Sequence, residues 1–251
     1  DGRPMFAKTS LPEMVELILG VSNDCFIYPA HAWTSWFGVF GSKTGFDSLK
    51  EAYGDQAKHI HAIETGLSSD PQMNARCSFL DNIALLSNSD AHSPHPWRLG
   101  RECNAFNLRD FSYRGLHKVL RENDKTQFLY TVEVDPAYGK YHFDGHRACK
   151  FSCAPQQSRK LKGICPVCHK ELTIGVEYRV EELADRPADA KSLAAFKRVL
   201  PLHELISALI GSPLSSPKVR AIAEKLMPAG TTELSVLLDD SKEELLKKAD
   251  A

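Results

Sequence analysis

The sequence lacks any run of about 18 apolar residues, so no segment could cross a bilayer as a helix and no membrane partner is expected. It also lacks an excess of either charge. Thirty-one Lys+Arg against 32 Asp+Glu leave a formal net charge of -1, so any nucleic-acid binding has to come from a local patch rather than a global field. No internal repeat and no low-complexity tract occurs, and no signal-like segment opens the chain. The start at Asp1-Gly2-Arg3-Pro4, without Met, reads as the interior of a longer protein, and a fragment is expected. Apolar residues, at 43%, are in ordinary supply, which excludes disorder as the main state. A length of 251 residues gives ample core for one large domain or two to three smaller ones.

The seven cysteines do not form the pattern of a secreted disulfide framework. Cys25, Cys77 and Cys103 are scattered through apolar stretches, whereas Cys149, Cys153, Cys165 and Cys168 fall close together. His146-x-x-Cys149 and Cys165-x-x-Cys168, separated by fifteen residues, have the spacing of a closed tetrahedral zinc site, structural rather than catalytic. Cys149, Cys165 and Cys168 are the firm ligands, with His146, Cys153 or His169 as the fourth. Such thiol chemistry fits a reducing, cytoplasmic setting.

The chain divides into three parts. Over residues 1–125, apolar runs alternate with helical patterns. Ser10-Leu-Pro-Glu13 is a capping box opening a helix. Cys25 to Tyr28, Ile60 to Ile63 and Ile83 to Leu86 read as strands, Ser48 to Tyr53 and Asn74 to Leu80 as helices, and Tyr113 to Arg121 as a closing amphipathic helix. This alternation predicts a parallel sheet or a β/α, TIM-like barrel, seen in part. Residues 126–180 bring an alternating strand, Phe128 to Val134, and then the Cys/His cluster as a small zinc-ribbon-like segment. Residues 181–251 read as a helical C-terminal region, with Ser216-Pro217 and the Ser241-Lys-Glu-Glu244 capping box as helix starts.

The strand ends carry the chemistry. They deliver Pro29-Ala30-His31, Glu64-Thr65-Gly66 and Ser87-Asn88-Ser89-Asp90-Ala91-His92. Functional residues gather where the loops at the carboxyl ends of strands converge. His31, Asp90 and His92 are therefore candidate catalytic residues and ligands of divalent Zn, Mg or Mn, since imidazole and carboxylate suit ions that assist hydrolysis. His59, His61 and His95 compete as ligands, with His61 read as core. Trp33, Trp36, Phe37, Phe40 and Phe46 crowd one stretch around Ser42-Lys43. Their spacing is also that of a helical core stripe, but Gly38, Gly41 and Gly45 disfavour a helix there.

Between Gly139 and Gly175, seven Lys/Arg face only Asp144 and Glu171. Arg147, Lys150, Lys160 and Lys162 of this run, with Arg98 and Arg101 after the Asp90 strand, are candidate DNA-backbone contacts.

Taken together, Pro29 through Phe37, Phe40 through Phe46, Glu64 through Pro71 and Ser87 through Pro94 resemble the endonuclease Q family. That family joins a polymerase-and-histidinol-phosphatase (PHP) domain, a distorted β/α barrel, to a zinc-binding segment. The resemblance implies a metal-dependent DNA repair endonuclease that hydrolyses the phosphodiester 5′ to deaminated bases (uracil, hypoxanthine, xanthine) or abasic sites, in double- or single-stranded DNA. It implies His31 in the third PHP ligand motif and Asp90 and His92 in the fourth. Glu64 sits in a family motif outside the PHP ligand motifs, and Gly66-Leu67-Ser68-Ser69 resembles the pocket for a flipped base. Trp33, Trp36, Phe37, Lys43, Glu64, Ser68 and Ser69 are thus expected to bind substrate. Asp144-Gly145-His146-Arg147 matches a family motif and favours His146 as the fourth zinc ligand. A repair clamp or another repair protein is an expected partner, and association with the nucleoid an expected location. Ala75 departs from the aromatic residue the family tends to have there. The first two PHP motifs are absent, so the chain is expected to be inactive alone. Two alternatives stand beside this reading: a PHP-type phosphoesterase for a small phosphorylated metabolite, and a non-catalytic zinc-ribbon DNA-binding module.

Overall fold

The computed structural model describes residues 8–43 and 45–250. The Asp1-Gly2-Arg3-Pro4 opening and Thr44 of the aromatic stretch lie outside the described residues.

Helix α1 (Leu11–Val21) begins as its capping box predicts. The Ser10 N–H donates to Glu13 Oε2 at 2.7 Å, and Ser10 Oγ accepts from the Glu13 N–H. Ser48 Oγ caps α2 (Leu49–Tyr53) by accepting from the Glu51 N–H, and a 3-10 helix (Gly54–His59) leads into β1 (Ala62–Glu64). Asn74 to Leu80 is not one helix. Helix α3 (Pro71–Asn74) stops because the carbonyls of Ala75 and Arg76, which would carry the ladder on, are taken by Asp185 and Arg186, and a 3-10 turn (Ser78–Leu80) follows. Strand β2 (Ala84–Leu86) pairs with β1 in parallel.

Cys25 to Tyr28 forms no strand of the described sheets. This segment meets β1 at its exit, where the Glu64 N–H donates to Pro29 O and the Ala32 N–H to Glu64 O, and Pro29 itself has no N–H to donate.

Strand β3 (Cys103–Phe106) is antiparallel to β4 (Phe128–Glu133), with α4 (Tyr113–Glu122) between them. The two sheets meet through side chains. Asn104 accepts from the Ser87 N–H and donates to Ser87 O, standing in for a backbone ladder. A hairpin of β5 (Asp144–His146) and β6 (Phe151–Cys153) and then α5 (Pro155–Lys160) build the cysteine segment. Helix α6 (Val176–Leu183) returns Val176 and Val180 to the core beside Val15, Trp33, Phe40, Ile63 and Leu85. Each such fully buried side chain contributes about 1.5–3 kcal/mol.

Two expectations are corrected here. The sheets hold two, three and two strands, and no closed barrel forms among the described residues. The C-terminal region is not purely helical: β7 (Phe196–Arg198) pairs in parallel with β4. Lys197 lies 4.5 Å from the Tyr130 ring centroid and Arg198 reaches the carboxylate of Asp70, and these contacts hold a short basic sequence extended. Beyond it, α7 (Leu202–Ile210), α8 (Pro217–Leu226) and α9 (Glu233–Leu238) bury Leu202, Ile206, Val219, Ala223 and Val236 in a core of their own, followed by α10 (Lys242–Asp250). No helix among the described residues is long and apolar enough to cross a membrane.

Candidate active cleft and metal centre

The loops after β1 and β2 and the turn before β1 enclose an open cleft of about 560 Å³. His31, Asp90 and His92 all line it, with Trp36, Ser68 and Tyr141. His31 and Asp90 have φ of +31° and +44°, and Phe37, also on the cleft, has +68°. Non-glycine residues in this region cost of order 1–3 kcal/mol each and persist where surrounding contacts impose them. Those contacts are visible. Glu64, 6% exposed, accepts the His31 N–H on one carboxylate oxygen at 2.5 Å and the Asn88 amide on the other at 2.9 Å, so it couples the two loops. Gly66 follows at φ +71°, where a Cβ would stand 3.1 Å from the His31 Cα.

The Asp90 loop is held as firmly. Arg101 Nε donates to Ser89 O at 3.0 Å, the Gly100 N–H to Ser89 Oγ at 2.8 Å, and Ser89 Oγ to Glu102 O. His92 Nδ1 lies 2.9 Å from Asp90 O. The buried Nδ1 of His31 has no hydrogen-bond partner among the described residues, which leaves its lone pair open to a ligand. Imidazole and carboxylate donors fit a divalent ion. Among the described residues His31, Asp90 and His92 do not converge into a closed ligand group.

The other expected substrate contacts divide. Trp36 and Phe37 are exposed at the cleft, whereas Trp33 touches its lining with only 1% exposure, its ring tilted against Phe40 and its Nε1 donating to Asn74. The aromatic stretch forms turns rather than a helix. Ser68 lines the cleft, but Ser69 is buried and its hydroxyl donates to Thr65 O while accepting from Asn74. Lys43 is exposed and lies off the cleft lining. Arg98 faces Glu204 of α7 at 3.6 Å, and Arg101 is occupied by the Asp90 loop. Lys160 and Lys162 are exposed on the cysteine segment.

Lys140, one of the seven basic residues of the Gly139–Gly175 run, and Tyr141, which has no role in the sequence reading, both lie on the cleft. Gly139 brings them there, since a Cβ at this position would overlap Ser68 Oγ at 2.4 Å and Leu67 O at 2.5 Å. Trp36, Lys140 and Tyr141 are shared with a second cavity of about 530 Å³, which runs on past Phe143, Arg147 and Lys150. Ser35 and Ser42 both donate to Ile174 O and lock the two regions together. The result is a continuous trough with aromatic faces and cations along it.

In the cysteine segment, one ligand atom from each of His146, Cys149, Cys165 and Cys168 lies within 4.8 Å of every other, so the four could hold a metal ion. It is His146, not Cys153 or His169, that completes this group. Hydrogen bonding to Cys168 pushes the Cys149 thiol up to about 11. Burial opposes ionisation of Cys165, but the N–H groups of Cys168 and Val167 outweigh it and hold that thiol below its ordinary value. A cation relieves this crowding of sulfur by favouring every thiolate.

Sequence reasoning also missed Glu102 and Glu133. These carboxyls, 2% and 0% exposed, both accept from Ser87 Oγ, at 3.1 and 2.9 Å, and Glu133 also accepts from Thr131 Oγ1 at 2.6 Å. Burial pushes Glu102 up to about 8 and, together with the charge of Glu102, pushes Glu133 up to about 9. The available signal was an acid between two valines, Val132-Glu133-Val134, in a strand.

No protein-family model matches the chain. It is 30% identical, over 92% of its length, to the uncharacterized protein MJ0043 of Methanocaldococcus jannaschii, covering 28% of that protein. Its structure is similar to the crystal structure of the lesion-specific endonuclease PfuEndoQ from Pyrococcus furiosus, with a TM-score of 0.82 and 32% identity over 95% of this chain and 58% of that one. It is similar also to endonuclease Q in complex with a 27-mer duplex carrying an abasic lesion at the active site, with a TM-score of 0.84 and 32% identity over 95% of this chain and 59% of that one. The chain thus spans less than two thirds of the length of each of these relatives. With the cleft, the trough and the cysteine segment set on that shared scaffold, the chain is similar to endonuclease Q in both sequence and fold, which supports its assignment to that family.

Proposed function

We propose that the chain belongs to a DNA repair endonuclease that hydrolyses the phosphodiester 5′ to deaminated bases, namely uracil, hypoxanthine or xanthine, or to abasic sites. The observation that carries this reading is the cleft. Strained, pinned loops present an unpartnered imidazole of His31 beside Asp90 and His92, on a fold that matches endonuclease Q bound to an abasic duplex. Divalent Zn, Mg or Mn bound there would stabilise negative charge on the reacting phosphate. His31, Asp90 and His92 would hold the ions, with further ligands supplied by the part of the protein beyond this chain. Glu64 is assigned a positioning role, because both its oxygens are spent on the His31 turn and on Asn88.

The trough gives the DNA its path. Trp36 and Phe37 offer faces against which a displaced base can stack, and Lys140, Arg147 and Lys150 follow the backbone. Zinc on His146, Cys149, Cys165 and Cys168 would serve as a structural brace for that basic surface. An open trough suits a polymer better than the closed polar pocket that a small phosphorylated metabolite needs.

The test uses the protein extended to its full length, with labelled duplexes carrying uracil, hypoxanthine, an abasic site or no lesion, in the presence of Mg²⁺ or Mn²⁺. Nicking 5′ to lesions only is expected, and Asp90→Asn should abolish it while lesion binding persists. Asn tolerates the positive φ of this position, so the substitution removes the charge and keeps the backbone. Hydrolysis of small phosphomonoesters without nicking would move the function to the metabolite reading, and DNA binding without any hydrolysis would leave a binding module.

A further inference from the structure

A cavity of about 430 Å³ lies at the opposite end of β1 from the cleft. Glu64 closes the carboxyl end of that strand, whereas His61 precedes its first residue, about 10 Å away at the rise of an extended chain. His61, read from the sequence as core, is only partly buried and lines this cavity. Lys58 and His59, at the end of the 3-10 helix, and His117 and Arg121, one turn apart on α4, complete a basic lining. Cys25 contributes its thiol and α1 only Leu19, and no carboxylate lines the cavity.

Among the described residues, none of His59, His61, His117 and Arg121 forms an ion pair, and Asp55, which feels the charge of Lys58, is itself paired with Lys50. Burial pushes the His61 imidazole down, and the charges of Arg121, His117 and His59 push it the same way. His117 is fixed by edge contact with Phe26, 5.2 Å between ring centroids. The rings and the thiol do not converge into a metal-holding group, and the two fixed cations would repel an ion there. A multivalent anion has the opposite effect, because it converts mutual repulsion into attraction and draws protons onto the imidazoles.

We propose that this cavity is a binding site for a phosphate group, held by Lys58 and Arg121 and by the protonated rings of His59, His61 and His117. The phosphate is carried by a small phosphorylated ligand or by a DNA backbone. The site stands apart from the proposed nuclease cleft and holds whether or not that cleft cuts DNA.

The test titrates the 251-residue chain with inorganic phosphate and pyrophosphate while following the histidine ring signals by NMR. Both probes should shift the His59, His61 and His117 signals, with affinity at least about tenfold higher near pH 6 than near pH 8. Lys58→Gln and Arg121→Gln, both at exposed positions, should each weaken the shifts by about tenfold, a change of about 1.4 kcal/mol, with the thermal midpoint retained. Competition by a lesion-free duplex would assign the phosphate to DNA, and its failure to compete would assign it to a small ligand. Unmoved ring signals at about 10 mM phosphate, or shifts that survive both substitutions, would overturn the proposal.

Discussion

Glu102 and Glu133 are the most consequential single residues outside the cleft. They share the hydroxyl of Ser87, one residue before Asn88 and three before Asp90, so the loop that carries Asp90 rests on a buried acid pair. Both carboxyls titrate far above the ordinary 4.5, at about 8 and about 9. The folded state therefore holds protons that the unfolded chain releases near pH 4.5. Stability from this pair is fully present below that pH and is lost as pH rises through about 8 and 9. Denaturant midpoints should accordingly fall across that window, and Glu133→Gln should flatten the profile, because a neutral amide has no proton to lose. A wild-type profile that is flat from acid to alkaline pH would contradict the pairing.

At the scale of elements, two attachments decide the architecture. Strand β7 is tied back by Arg198, whose guanidinium binds the carboxylate of Asp70, a side chain with no exposure. Asp70 also caps α3 through the Met73 N–H. Arg198→Ala strands that buried charge and should cost about 3 kcal/mol in chemical denaturation. Adding Asp70→Asn should recover most of the loss, since Asn keeps the cap without the charge. The β5–β6 segment has little apolar core beyond Cys153, Cys165 and Leu172, so a metal on His146, Cys149, Cys165 and Cys168 would supply much of its folding energy. Cys165→Ser should release one equivalent of zinc, measured by metal analysis, and expose amides 144–173 to hydrogen exchange while α7, α8 and α9 stay protected. Retention of a full equivalent would refute the ligand set.

For the whole molecule, the legible parts were those written in local chemistry. The Ser10 and Ser241 capping boxes, the Ser216-Pro217 helix start, the α4 stripe and the paired x-x spacing of His146, Cys149, Cys165 and Cys168 each need only a few neighbouring residues, and each is present. The four-residue run Cys25 to Tyr28 was misread because a strand requires a partner, and the local pattern does not name one. The Asn74 to Leu80 helix failed because residues more than a hundred positions later take its carbonyls. Long-range contacts likewise decided which aromatic residues face solvent: Trp33 turned inward to Asn74 and Phe40, while Trp36 stayed at the cleft.

The sequence by itself determined the inventory of chemistry: a balanced charge with one local basic run, a four-ligand metal motif, and His31, Asp90 and His92 at successive loop positions. Tertiary structure decided which of these groups meet. It set Lys140 and Tyr141 beside Ser68, spent Arg98, Arg101 and Ser69 on internal contacts, paired Glu102 with Glu133, and gathered three histidines at the far end of β1. The physical reason is that caps and ligand spacings act over a few residues of chain. Burial, charge pairing and cavity formation depend instead on groups far apart in sequence, brought together only when the core closes.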